Sequence, residues 1–222
     1  ERCQYVQGGT FHSFCTQILR KYSNHIGYNN EFSIIDSADS IDLIQHVRST
    51  LNIDHRTQRF PAKRSLAKLF TLHKNKQLDM RVLIQEYYPQ FLVHEKDVIR
   101  LFKTYESYKA KHHIMDFDDL LFNTEKLFTE HPAILERVSS TCQYVLVDEF
   151  QDTNKIQASL CEYFSSFHQN LTVVGDDAQS IYAFRGSDYE NILRFPEEHA
   201  NTELIKLEEN YRSSPEILEV AN

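Results

Sequence analysis

The sequence predicts an α/β fold: a parallel sheet flanked by helices, interrupted by an all-helical section. Between positions 40 and 137 apolar residues recur at spacings of three and four without a single glycine, the period of helices packed on a core. After Thr141 the period changes to short, apolar, β-rich runs separated by a helical segment, the pattern of parallel strands joined by crossovers. Five glycines and five prolines in 222 residues set aside collagen, glycine-rich linkers and loop-dominated all-β folds.

In chain order, Phe11, Phe14, Cys15, Ile18, Leu19 and Tyr22 form one face of an amphipathic helix, with Thr10 as its N-cap. Three further stripes mark helices: Ile41, Ile44, Val47 and Leu51; Leu66, Leu69 and Phe70; and Val98, Leu101, Phe102 and Tyr105. Pro61, Pro89 and Pro132 stand where helices begin or end. Residues 144–147 form the first expected strand, ending in Asp148 and Glu149; residues 171–174 form the second, ending in Gly175 and Asp176; residues 203–207 form a third. A helix is expected over 154–167, with Asp152 and Thr153 as candidate caps, and Ser214-Pro215 opens a last helix. Ligands of such sheets bind beyond the carboxyl ends of the strands, which directs attention to Asp148, Glu149 and Asp176.

Net charge is −8, which taken alone argues against an obligate polyanion binder. The total conceals a split: residues 1–115 hold 17 Lys and Arg against 11 acids, while residues 116–222 hold 7 against 21. Cationic density peaks over 48–76, where eight Lys and Arg face only Asp54, a phosphate-contact surface or a solvated helical face. Cys3, Cys15, Cys142 and Cys161 have neither zinc-ligand nor disulfide-framework spacing and read as reduced thiols of a cytoplasmic protein. No apolar stretch is long enough to span a bilayer, so no membrane partner is expected. The glycines at 8, 9, 27, 175 and 186 cannot form G-x-x-x-x-G-K-[ST] or G-x-G-x-x-G, so no complete phosphate-cradling loop lies in the chain. With glutamate in place of an initiator methionine, the chain is expected to begin inside a longer protein.

An apolar run followed by Asp148 and Glu149 puts two carboxylates at a strand end, where one can hold Mg²⁺ and the other orient or deprotonate a water. In VVGDDAQSIYAFRGSD, Gln179 has the chemistry to polarise a water or touch a terminal phosphate. Tyr182, Phe184 and Arg185 combine two π faces with a cation, which suits stacked bases of a single strand; core packing is the competing role. In LEENYRSSPEIL, Arg212 suits bidentate phosphate contact and Tyr211 suits stacking on a base, with a surface arginine and a packed tyrosine as the competing roles.

The ordered segments GGTFHSFCTQILRKY, DFDDLL, YVLVDEFQDTN, VVGDDAQSIYAFRGSD and LEENYRSSPEIL closely resemble the UvrD/Rep/PcrA family of superfamily 1 DNA helicases, over nearly the whole chain. The resemblance implies a RecA-like domain over 1–23 and 116–222, with an inserted helical subdomain at 24–115. It implies ATP and Mg²⁺ as cofactors, with Asp148 on the metal, Glu149 as general base, Gln179 and Arg212 at the γ-phosphate and Tyr211 on adenine. It implies DNA contacts at Thr10, Phe11 and His12 and at Tyr182, Phe184 and Arg185, where relatives often carry Trp in place of Phe184. Asp116, Asp118 and Asp119 match a family motif, with capping of the 117–128 helix as an equal reading. The implied activity is ATP-driven 3′-to-5′ movement on single-stranded DNA with unwinding at junctions, with repair or replication accessory proteins as implied partners. Walker A and a second RecA-like domain are missing from the 222 residues, so the chain alone is expected to be inactive. Two other readings compete: a non-catalytic helicase-like module that binds DNA or a partner, and a Mg²⁺-dependent nuclease built on the Asp clusters.

Overall fold

A computed structural model describes residues 6–51, 53, 60–179, 190–199, 201–207, 209, 211, 213–214 and 217. Tyr182, Phe184, Arg185 and Arg212 lie outside the described residues, as does most of the helix expected after Ser214.

Thr10 caps α1 (Phe11–Tyr22): its hydroxyl accepts the Ser13 N–H at 3.3 Å, satisfying one of the four orphan donors of the first turn. Cys15 and Leu19 are fully buried on the face that α1 turns toward α6 (Phe117–Glu130). After α1 the chain reverses at Gly27, whose φ of +87° only glycine adopts without strain. Arg20 then fastens the returning segment, its guanidinium 4.0 Å from the Phe32 ring centroid and donating to the Phe32 carbonyl.

Four helices follow: α2 (Ser37–Thr50), α3 (Lys63–Lys76), α4 (Met80–Tyr87) and α5 (Glu95–Lys111). The first starts at Ser37, because the Asp36 carboxylate accepts the Ala38 and Asp39 N–H groups. The expected stripes face inward, and Ile44, Val47, Leu66, Leu69, Phe70, Val98, Leu101 and Tyr105 share one core with Leu83, Ile84 and Phe91. At the base of these helices β1 (Ser33–Ile34) pairs in parallel with β2 (Ile114–Met115), Ser33 opposite Ile114 and Ile34 opposite Met115. Two-residue strands carry no periodicity, and the sequence reading lacks this pair.

A second core joins Cys15, Leu19, Phe32 and Met115 to residues of α6, α7 (Pro132–Ser139) and α8 (Lys155–Ser165). Parallel strands β3 (Val145–Val147) and β4 (Leu171–Val173) are joined through α8 and run in register from Val145 opposite Leu171 to Val147 opposite Val173. Helix α9 (Glu190–Glu198) brings Phe195 into a third cluster with Val147, Phe150 and Cys161. Burial raises the thiols of Cys15 and Cys161 to about 12, which keeps them protonated and unreactive at neutral pH.

Three sequence expectations need correction. Residues 203–207 form no strand: Leu204, Ile205 and Leu207 are 69–85% exposed, and among the described residues no neighbour supplies the ladder bonds that would hold an apolar run as β structure. The sheet is not flanked on both faces among the described residues, since in β3 Val147 is buried while Leu146 is 76% exposed. Asn154, not Asp152 or Thr153, caps α8, exchanging side-chain-to-backbone bonds with Gln157 in a capping box.

Candidate active site

The carboxyl ends of β3 and β4 carry the two acidic loops. Val174 N–H donates to the Val147 carbonyl at 2.8 Å and Phe150 N–H to the Val174 carbonyl at 2.9 Å, so the ladder steps over Asp148 and Glu149 and leaves both carboxylates exposed. Glu149 sits at φ +52°, ψ +43°, a left-handed conformation costing a non-glycine residue ~1–2 kcal/mol. Its surroundings hold it there: Asp152 N–H donates to its carbonyl at 2.9 Å, opening a single 3-10 turn over Phe150–Asp152. Its own N–H donates to Asp148 Oδ1 at 3.0 Å, and Gln151 Nε2 donates to its Oε2 at 2.6 Å.

The β4 loop is organised by Asp176. Its carboxylate accepts Ala178 N–H at 3.0 Å and Gln179 Nε2 at 2.6 Å, which fixes Gln179 at the end of the 3-10 turn Asp177–Gln179. Gln151, 1% exposed, joins the two loops, because its Oε1 accepts the Asp176 N–H at 3.1 Å. A Cβ added at Gly175 would meet Gln151 Oε1 at 2.4 Å and Ile192 Cδ1 at 2.6 Å, so a larger residue there would displace the Gln151 amide and the Ile192 side chain.

Asp148, Glu149 and Asp176 present hard carboxylate oxygens at one sheet edge, a donor set suited to Mg²⁺, which takes one or two protein carboxylates beside substrate phosphates. One Asp148 oxygen accepts a single N–H, and a carboxylate has about four acceptor positions, so capacity for a cation remains. Asp148, Glu149 and Gln179 therefore gather on the same two adjoining loops. Tyr211 is 88% exposed and its hydroxyl donates to Glu209.

Thr10, Phe11 and His12 open α1 next to this edge. Thr10 is exposed, but Phe11 packs against both the α1–α6 core and the Val147–Phe150 cluster. The His12 ring meets Phe117 edge-on at 5.8 Å, and burial lowers its pKa, favouring the neutral imidazole.

The sequence reading misses a buried ionic cluster beneath α6. Asp116 caps α6 and forms a capping box with Asp119, and both carboxylates also meet two lysines. Lys109, 0% exposed, lies 2.6 Å from Asp116, 2.6 Å from Asp119 and 3.0 Å from Glu106; Lys74 lies 2.5 Å from Asp119, 3.1 Å from Glu106 and 3.5 Å from Asp116. Burial opposes ionisation of Asp116, yet the two ammonium groups overcome it and hold the carboxyl well below its usual range. Glu106, Asp116 and Asp119 have the spacing of a metal site among the described residues, but the ammonium groups of Lys74 and Lys109 already occupy the space between them and offset two of the three charges. Lys74 thus leaves the cationic run of 48–76 for the interior, while Arg64 and Lys68 stay exposed on α3. One residue on, Asn75 Oδ1 accepts from Asn154 Nδ2 at 3.2 Å, connecting the end of α3 to the cap that follows the Asp148 loop.

Residues 1–200 match the family described as UvrD/REP helicase N-terminal domain. An ATP-dependent DNA helicase PcrA of Staphylococcus epidermidis is 39% identical over all 222 residues, and one of Bacillus subtilis is 39% identical over 216 residues, 96% of the chain. A PcrA helicase of Staphylococcus aureus is 35% identical over the whole chain. The chain spans 28–30% of the length of these relatives. With the match running from the α1 cap through both acidic loops, the chain belongs to the UvrD/REP helicase N-terminal domain family.

Proposed function

We propose that the protein carrying this chain is an ATP-dependent DNA helicase that moves 3′ to 5′ along single-stranded DNA and unwinds duplex at junctions. The observation that carries this reading is the pairing of Asp148 and Glu149, with Glu149 held in a left-handed turn, beside the Asp176–Gln179 loop at one parallel-sheet edge. Bound MgATP supplies the phosphoryl group and the neutralising cation. Asp148 holds the metal, Glu149 takes the proton of the attacking water, and Gln179 reaches toward the terminal phosphate. Tyr211 and Arg212 contact the base and phosphates of the nucleotide. Thr10 and His12, with Tyr182, Phe184 and Arg185, meet the single strand, stacking being worth ~1–3 kcal/mol per base without sequence readout. Phe11 contributes more to the core than to DNA, given its packing on two clusters.

Residues 1–23 and 116–222 belong to a RecA-like unit and residues 24–115 to a helical insertion; the separate core shared by α2–α5 supports that division. Arg64 and Lys68 on α3 contact duplex phosphates ahead of the junction. The test is strand displacement by the purified protein with MgATP. Hydrolysis stimulated by single-stranded DNA and displacement from a 3′-tailed duplex are expected. Absence of DNA-stimulated hydrolysis overturns the activity, whereas displacement from a 5′-tailed duplex alone overturns the polarity.

A further inference from the structure

We infer that Gln151 is a positioning residue: it holds the Glu149 carboxylate in its working orientation and ties it to the Asp176 loop. The inference rests on the reading of Glu149 as general base. Gln151 is 1% exposed, and a buried primary amide must find partners for its donor and acceptor ends. It finds one on each loop, Nε2 donating to Glu149 Oε2 at 2.6 Å and Oε1 accepting the Asp176 N–H at 3.1 Å. These partners also fix the orientation of the amide. A flipped side chain would set oxygen against carboxylate oxygen and NH₂ against N–H, losing both bonds and creating two repulsions.

Two features beside the amide fit this role. Glu149 lies in left-handed backbone and is exposed, and the short bond from Gln151 restrains its carboxylate there. Gly175 leaves the space that Gln151 Oε1 fills, 2.4 Å from where a Cβ would stand. The carboxylate of one strand end and the backbone of the next are thus registered through a single side chain. A shift of the Gln179-bearing loop, transmitted by the Asp176 N–H, moves the Gln151 amide and with it Glu149. Neither partner atom of Gln151 is on the nucleotide, so its loss should slow turnover without weakening ATP binding.

The experiment compares Gln151→Met, which keeps the volume and removes both hydrogen bonds, with Glu149→Gln and the double variant in the purified protein, using MgATP and a single-stranded oligonucleotide. Gln151→Met is expected to lower kcat by about ten- to a hundredfold with the KM for ATP changed less than about threefold, the scale of misaligning a positioned group. In the Glu149→Gln background the same substitution should cost almost nothing further, because its effect passes through Glu149. If Gln151→Met does not fold, Gly175→Ala, whose Cβ displaces the Gln151 amide, should give the same kcat loss and the same non-additivity. Wild-type kcat, a loss confined to KM, or an equal loss in both backgrounds overturns the inference. Wild-type hydrolysis by Glu149→Gln alone instead overturns the base assignment beneath it.

Discussion

Replacing Lys109 by methionine removes one cation from a cluster that holds two ammonium groups and three carboxylates, taking its formal charge from −1 to −2. Methionine fills much of the space, so the loss is electrostatic rather than a cavity. Two of the carboxylates left behind are buried, Asp119 at 2% exposed and Asp116 at 9%, whereas the Glu106 side chain is 33% exposed. Lys74, the remaining cation, lies 3.5 Å from Asp116, compared with 2.6 Å for the lysine removed. Tyr105 still donates to Asp116 at 3.0 Å, which partly compensates that carboxylate and not Asp119. Breaking a buried pair by deleting one partner costs about 3–5 kcal/mol, a large part of a typical folding free energy. For a chain of this size that lowers the melting temperature by roughly 10 °C. Circular dichroism is the suitable probe because the chain contains no tryptophan. Adding Asp119→Asn to Lys109→Met returns the cluster to −1 and keeps an acceptor for the Asp116 N–H, so it should recover about half of the loss. Melting of Lys109→Met within about 2 °C of wild type, or no recovery in the double variant, would refute the reasoning.

Three further outcomes are expected. The Asp118 carboxyl is pushed up to about 6, first by burial and then by the Asp116 charge, with the Thr71 hydroxyl bond opposing. Its folded value lies above its unfolded one, so its contribution favours folding below about pH 4 and is lost as pH rises through 6. Asp118→Asn should therefore gain as much as about 3 kcal/mol at pH 7, less where water screens the site, and flatten the dependence between pH 4 and 6; lower stability at pH 7 contradicts this. Asn154→Ala should cost about 1–2 kcal/mol by uncapping α8, and Asn75→Ala about 1 kcal/mol, with the double variant in chemical denaturation losing less than their sum. Arg64→Gln with Lys68→Gln should weaken duplex binding and reduce the slope of log affinity against log salt by roughly 2, while an unchanged slope places the duplex elsewhere.

Helices were legible wherever their own side chains decided them. Thr10 caps α1 as its position before Phe11 predicts, and the Leu66, Leu69, Phe70 stripe is buried as its spacing requires. The β1–β2 pair was not legible, because its partners lie some 80 residues apart and each strand is two residues long. Residues 203–207 have the composition of a strand, but composition supplies no hydrogen-bonding neighbour. The ionic cluster was hidden by counting charges along the chain instead of around the helix. Lys74 follows Leu66 and Phe70 by eight and four residues and occupies the next slot of the same buried face; Lys109 stands in that relation to Leu101 and Tyr105. Read that way, each lysine calls for a buried acid, and the Asp116–Asp119 capping box is where those acids are. In the site, strand-end position marked Asp148, Glu149 and Asp176 and side-chain chemistry marked Gln179, whereas Gln151 emerged only from the approach of two loops 25 residues apart.

ATP turnover by Glu149→Gln in the presence of single-stranded DNA tests the central claim most directly. The variant should bind MgATP with near wild-type affinity and lose most of its hydrolysis, a fall of about a hundredfold or more, because an amide cannot take the proton of the attacking water. Turnover at the wild-type rate with intact binding would show that the carboxylate held at the end of β3 is not the base.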